Sequence, residues 1–176
     1  MELPFCTIGH STRSLEAFVA LLRVAEVELV VDIRTVPRSR TNPQYNSDSI
    51  GQPLAAFHVG YERLPALGGL RHKATGVAAE VNGLWRNQSF HNYADYALSD
   101  AFRVGLARLI ELGRERRCAV MCAETLWWRC HRRIVADHLL AHGEVVFHLM
   151  GRDRMEPAHL TAGAHIQASG AVTYPG

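Results

Sequence analysis

Apolar and polar positions along this chain change period several times. Phe5 to Gly9 is a short apolar run ending in Gly-His-Ser, the pattern of a strand and its exit loop. Ser14 then precedes Leu15, Phe18, Val19, Leu21 and Leu22 at helical spacing, so the spacing predicts a capped helix there. Glu28 to Ile33 is a continuous apolar run ended by charge, which suits a buried parallel strand. Residues 34–46, with Pro37 and Pro43, read as a loop, 47–57 as a short helix and 59–64 as a third strand. Residues 67–90 are the least regular, and a long loop inside a domain is usually functional or mobile. Helical period resumes at Tyr93 and runs through Phe102, Leu106, Leu109 and Ile110 to Leu112, where Gly113 is expected to stop it. Cys118 to Cys122 reads as a fourth strand, about Arg129 to Ala141 as a helix ended by Gly143, and 145–149 as a fifth strand. The tail, 164–174, reads as a small hairpin turning at Ser169-Gly170.

Strands alternating with helices predict a single α/β domain over residues 1–176. Its centre would be a mostly parallel sheet of about five strands flanked by helices, with a small C-terminal hairpin. The 176 residues suffice for one real core, and 48% apolar residues mark a globular chain. A net charge of +2 excludes a blanket electrostatic binder of nucleic acid. Of the nineteen basic residues all but Lys73 are Arg, a skew that fits compositional bias as well as anion recognition. No run approaches a membrane span. The start, MELPFCTIGHS, has no leader pattern, and no cysteines have C-x-x-C spacing. The expectation is a reduced, cytoplasmic protein with no membrane partner.

Position makes the polar residues informative. His10 and Ser11 follow the first strand, Asp32 and Arg34 end the second, Cys122 and Glu124 end the fourth, and Cys130, His131 and Arg132 open the next helix. In an open parallel sheet the ligand crevice lies at the carboxyl ends of the strands. These residues are therefore expected to gather on one edge, although they span most of the sequence. Three chemistries fit the cysteine cluster. Cys130 at a helix start beside His131 and Arg132 suits a thiolate nucleophile. Cys122, Cys130, His131 and His10 number enough for a metal, but the gap between the cysteines matches no standard zinc spacing, and no metal ligand is assigned. Arg132 and Arg34 suit an anion at a helix N-terminus. The plain alternative is that both cysteines only pack.

Two further groups stand out. Arg34, Arg38 and Arg40 share one loop, and Asp32 serves as readily to orient Arg34 as to act as a base. Gly68-Gly69 before Arg71 permits close backbone approach, though paired glycines also simply make turns.

These segments resemble the bacterial and archaeal proteins grouped as domain of unknown function 488. The resemblance is carried by TIGHS at 7–11, VDIRTVPRSRTNPQYN at 31–46, LGGLR at 67–71, WRNQSFHNYADY at 85–96, MCAE at 121–124 and CHRRIVADHL at 130–139. The ending at 159–175 looks similar too. It implies an α/β fold and a motif set, carried here by His10, Ser11, Asp32, Arg34, Pro37, Ser39, Arg40, Cys122, Glu124, Cys130, His131 and Arg132, and no reaction. One departure stands before the Arg-Cys-His-Arg run: Trp127-Trp128 replaces the family's Pro-Trp, which removes a pre-set helix start.

The preferred expectation is an enzyme acting on an anionic substrate, a small nucleotide-like molecule or a nucleic-acid-related one. Cys122, Glu124, Cys130 and His131 are the catalytic candidates. His10, Ser11, Asp32, Arg34, Arg40, Arg71 and Arg132 are the anion-binding ones. No cofactor is assigned. Two other readings stand beside it. One is a binding module for nucleic acid, using the Arg loops and exposed Tyr45, Trp85, Trp127 and Trp128. The other is a thiol redox protein with a reversible Cys122–Cys130 disulfide.

Overall fold

A computed structural model describes residues 2–151 and 154–176. Five strands, β1 (Phe5–Gly9), β2 (Leu29–Asp32), β3 (Gly60–Arg63), β4 (Cys118–Cys122) and β5 (Val146–Met150), form the parallel body of one sheet. A sixth, β6 (Arg154–Pro157), pairs antiparallel on β5, giving the order β3-β2-β4-β1-β5-β6. The helices are α1 (Leu15–Val24), α2 (Gly51–Ala56), α3 (Gln88–Tyr96), α4 (Asp100–Glu115) and α5 (Arg132–Ala141). The tail forms a small hairpin of β7 (His165–Ile166) and β8 (Val172–Thr173).

The apolar runs of β1, β2 and β4 are buried throughout, as a sheet covered on both faces requires. One face packs on α1 and α2 through Phe18, Leu22, Ile50 and Leu54. The other packs on α3, α4 and α5 through Tyr93, Phe102, Leu109 and Ile134. The route from β1 to β2 uses the first face and the route from β4 to β5 the second. Neighbouring β1 and β4 therefore send their connections in opposite directions, and a crevice opens beyond their carboxyl ends. Gly9 stands opposite Cys122 at that point.

Ser14 caps α1 by accepting from the Ala17 amide, as its position predicts. The stripe expected to run unbroken from Tyr93 to Leu112 is two helices. Asn87 caps α3 through the Ser89 and Phe90 amides, and Ser99 caps α4 through the Phe102 amide, so two side-chain caps override continuous periodicity. Gly113 does not stop α4. It lies inside the helix, where a Cβ would collide with the Phe5 ring, so it serves helix–sheet contact instead of termination. The helix expected from Arg129 begins at Arg132, after a 3₁₀ turn over Trp127–Arg129. Sequence reading missed β6, whose half-exposed Arg-Met-Glu-Pro carries no apolar run. No helix among the described residues is long and apolar enough to cross a membrane.

Candidate active site

The carboxyl ends of β2 and β4 and the start of α5 meet at a cavity of about 340 Å³. Arg34, Cys122, Glu124, Arg129, Cys130 and His131 line it, with Val36, Gly69, Leu70, Phe90 and Tyr93. A second depression shares Arg34 and adds His10, Ser11, Arg38, Ser39 and Asn42. A third continues along Arg38, Ser39 and Arg40. Among the described residues, Glu124 is the only acidic one on these three surfaces, against four arginines.

At the floor, Cys122 Sγ and Cys130 Sγ lie 2.6 Å apart. Cys122 ends β4 and Cys130 lies between the Trp127–Arg129 turn and α5, so both are fixed by elements already packed. Gly9 makes the approach possible, since a Cβ there would run into the Glu124 carbonyl. His131 caps α5. Its Nε2 lies 2.9 Å from the Ile33 carbonyl, which can only accept, so Nε2 carries the proton. Nδ1 is then the free base, and it faces Cys130 Sγ at 3.4 Å. Gly69 packs against the same ring, 2.5 Å from Nδ1 at the position a Cβ would take, so the glycine is needed for close approach.

Arg132 lies behind the sulfurs and is fully buried. Its Nη1 donates to Cys122 Sγ at 2.6 Å and to the Glu124 carbonyl, its Nη2 to the Thr125 carbonyl at 2.8 Å, and its Nε to Thr7 Oγ1 at 3.2 Å. Thr7 in turn meets His148 Nδ1 at 2.6 Å. Among the described residues no carboxylate pairs with this guanidinium. A buried cation without an acid partner favours whatever negative charge its neighbours can carry, and here those neighbours are thiols. Burial raises the Cys130 thiol. The Cys122 hydrogen bond, the Arg132 charge and the Arg132 amide outweigh it and leave Cys130 below the ordinary thiol value. Cys122 is pushed well up, by burial first and then by Cys130, so the pair holds one proton strongly and releases the other readily. Burial lowers His131 and keeps it neutral.

Arg34 is arranged differently. Its Nε and Nη2 meet the two oxygens of fully buried Asp32 at 2.9 and 2.7 Å, and Nη2 also donates to the Tyr45 carbonyl at 2.6 Å. Tyr61 donates to Asp32 at 2.5 Å. Burial works against the Arg34 charge, and Asp32 more than restores it. Asp32 thus orients the guanidinium. Nη1 is left toward the cavities, 3.3 Å from His10 Nε2. His10 is stacked on Tyr45, its Nδ1 donates to the Ser11 carbonyl, and burial lowers it, so it accepts from Arg34 as a neutral ring. Ser11 holds φ at 47°, left-handed, at the mouth of the second depression.

Of the sequence candidates, Cys122, Cys130, His131, Glu124 and Arg34 share the main cavity, while His10 and Ser11 share the next. Glu124 stands at the rim, its carboxylate accepting from the Leu126 amide at 3.1 Å. Arg132 and Asp32 support from behind. Arg40 reaches only the third depression. Arg71 lies outside all three, with its guanidinium on the Gly68 and Pro65 carbonyls and over the Tyr96 ring. Among the described residues no three His, Cys, Asp or Glu side chains converge to hold a metal. The aromatics expected to be exposed are mostly not. Tyr45 is fully buried with its hydroxyl on the Arg13 carbonyl, Trp127 stacks on His148, and Trp85 stacks on Phe90, leaving only Trp128 exposed. Sequence reading missed Arg129, Phe90, Leu70 and Val36 in the cavity, and Thr7 and His148 behind it. The last two come from strand interiors, where an alternating face carries no mark of a polar contact.

No curated protein and no solved structure matches the chain. The family model described as Domain of unknown function DUF488 matches residues 14–139, a span that contains Arg34, Cys122, Glu124, Cys130, His131 and Arg132, and the chain belongs to that family.

Proposed function

We propose that this protein is a cysteine-dependent enzyme acting on an anionic substrate, nucleotide or nucleic-acid-related in class. One observation carries the reading: Cys130 Sγ stands 3.4 Å from His131 Nδ1, while the other ring nitrogen is tied to the Ile33 carbonyl, at the floor of an open cavity. Nucleophile, base and orienting group in that order are the arrangement covalent catalysis needs. Cys130 attacks as the thiolate. His131 accepts its proton, and Glu124 at the rim is placed to exchange a proton with the leaving group. Arg34, held charged by Asp32, and the exposed Arg129 attract the anion, and Arg38 and Arg40 extend the basic track. Val36, Leu70 and Phe90 give the substrate an apolar surface, which suits a ligand with a flat apolar part beside its charge.

The test is the rate of Cys130 alkylation by iodoacetamide against pH, with and without adenosine monophosphate. The expected profile rises at lower pH than the ~8.5 of a free thiol, and the nucleotide slows it. Alkylation that follows an ordinary thiol, or that the nucleotide leaves unchanged, overturns respectively the nucleophile and the substrate class.

A further inference from the structure

We infer that Cys122 and Cys130 form a reversible disulfide, with Cys130 the site of attack on a hydroperoxide and Cys122 the resolving thiol. The inference rests on the reading of Cys130 as the reactive thiol and adds a second reaction at the same sulfur. Three features of the geometry support it. The sulfurs stand 2.6 Å apart, against about 2.05 Å in a disulfide, so bridging asks for a shift of only about half an ångström. Both line the cavity, so a small oxidant reaches them although each is buried as a residue. Arg132 Nη1 sits on Cys122 Sγ at 2.6 Å and the Arg132 amide on Cys130 Sγ at 3.5 Å, so either sulfur is stabilised when it bears charge.

The steps balance. The Cys130 thiolate attacks one peroxide oxygen, the S–O bond forms, the O–O bond breaks, and the departing alkoxide takes a proton to leave as an alcohol, or as water from hydrogen peroxide. Cys130 is now a sulfenic acid. The Cys122 sulfur attacks the Cys130 sulfur, the S–S bond forms, the S–O bond breaks, and the hydroxide leaves as water with the Cys122 proton. The two sulfurs together lose two electrons and the peroxide gains them. A dithiol reductant reverses the bridge by exchange. While the bridge stands, Cys130 cannot form the thiolate that the substrate reaction needs, so oxidation switches that activity off.

The experiment treats the whole protein with equimolar hydrogen peroxide, blocks remaining thiols with iodoacetamide, and maps peptides without reduction. The expected product is a Cys122–Cys130 cross-link, with Cys6 and Cys118 unoxidised and the Cys122 and Cys130 alkylation sites restored by dithiothreitol. In Cys122→Ser the expected product is a Cys130 sulfenic acid trapped by dimedone. The inference is overturned by sulfinic acid at Cys130 of the native protein with no cross-link, or by oxidation at Cys6 or Cys118 first. The native protein alone decides this if the variant fails to fold. If Cys130 alkylates early with pH but peroxide gives no bridge, the inference falls and the proposed nucleophile stands. If Cys130 resists both reagents, both fall.

Discussion

Cys118 and Cys122 stand at opposite ends of the same strand, on the same face by its two-residue period, and both are buried. At the amino end, Cys118 sits in the apolar core with its thiol donating to the Arg116 carbonyl, and burial pushes that thiol up to about 12. Cys6 on β1 is likewise pushed to about 12 by burial. At the carboxyl end Cys122 meets a second sulfur and the Arg132 guanidinium, and the second sulfur, Cys130, falls below the ordinary value. Burial is common to both ends. What differs is a buried guanidinium bonded directly to a sulfur and a base aimed at its neighbour, so reactivity here is a property of the strand end, not of the residue type.

The largest test of that contrast is selective alkylation. With Cys6 and Cys118 pushed up to about 12 and Cys130 below the ordinary thiol value, Cys130 carries by far the largest thiolate fraction of the three at neutral pH. A short iodoacetamide pulse followed by peptide mapping is expected to label Cys130 and leave Cys6 and Cys118 unlabelled. Equal labelling of Cys118 would remove the distinction between the two ends.

Next in size is Arg132→Met, which keeps much of the side-chain volume and removes the charge. It leaves the Glu124 and Thr125 carbonyls and Thr7 without a donor, so an unfolding free energy lower by about 3 kcal/mol is expected by urea titration. The informative readout is the Cys130 alkylation profile, which should move to higher pH. A large stability loss with an unmoved profile would mean that Arg132 braces the loop and does not serve as counter-ion. Arg34 makes the control, because Asp32 already answers its charge. Arg34→Met should leave the Cys130 profile in place while weakening protection by nucleotide.

The two ends were unequally legible in the sequence. The apolar runs announce β1, β2, β4 and β5, and the alternation of strands and helices sets His10, Arg34, Cys122 and Cys130 toward the edge at the strands' carboxyl ends. The partition among them was not legible. Arg34 and Arg132 both follow a strand or open a helix, yet one faces the cavity and the other lies behind it. Only three-dimensional packing decides which guanidinium finds a carboxylate. Gly9 and Gly113 illustrate the same limit. Each reads as an ordinary terminator, and each is instead a place where no Cβ fits.

Those glycines give the third test. Gly9→Ala sets a Cβ against the Glu124 backbone at the reactive end, and Gly113→Ala sets one against the Phe5 ring at the other. Each is expected to lower stability by about 2 kcal/mol in thermal or urea unfolding, as overpacking does. Only Gly9→Ala should also slow Cys130 alkylation, because the Glu124 carbonyl holds Arg132 in place. Equal slowing by both would show that reactivity follows global stability instead of local geometry.

Per pH unit, the smallest effect separates two buried histidines. Burial lowers both His138, in the core against Phe102, and His148, which Thr7 links to Arg132, from 6.5 to about 3. Between about pH 3 and 6.5 the unfolded chain binds these protons and the folded one does not. Stability therefore rises with pH through that window, by about 1.4 kcal/mol per pH unit for each histidine, and is fully present above 6.5. His138 Nε2 has no hydrogen-bond partner, so His138→Phe is expected to reduce the slope of unfolding free energy against pH by one histidine's share without loss at neutral pH. His148→Phe should remove the same share of slope but also free Thr7 from its partner, and so disturb Arg132 and shift the Cys130 profile. If both variants shift that profile, the reactive end is coupled to the whole core. If neither does, Thr7 holds Arg132 without His148, and the chain behind the sulfurs stops at the threonine.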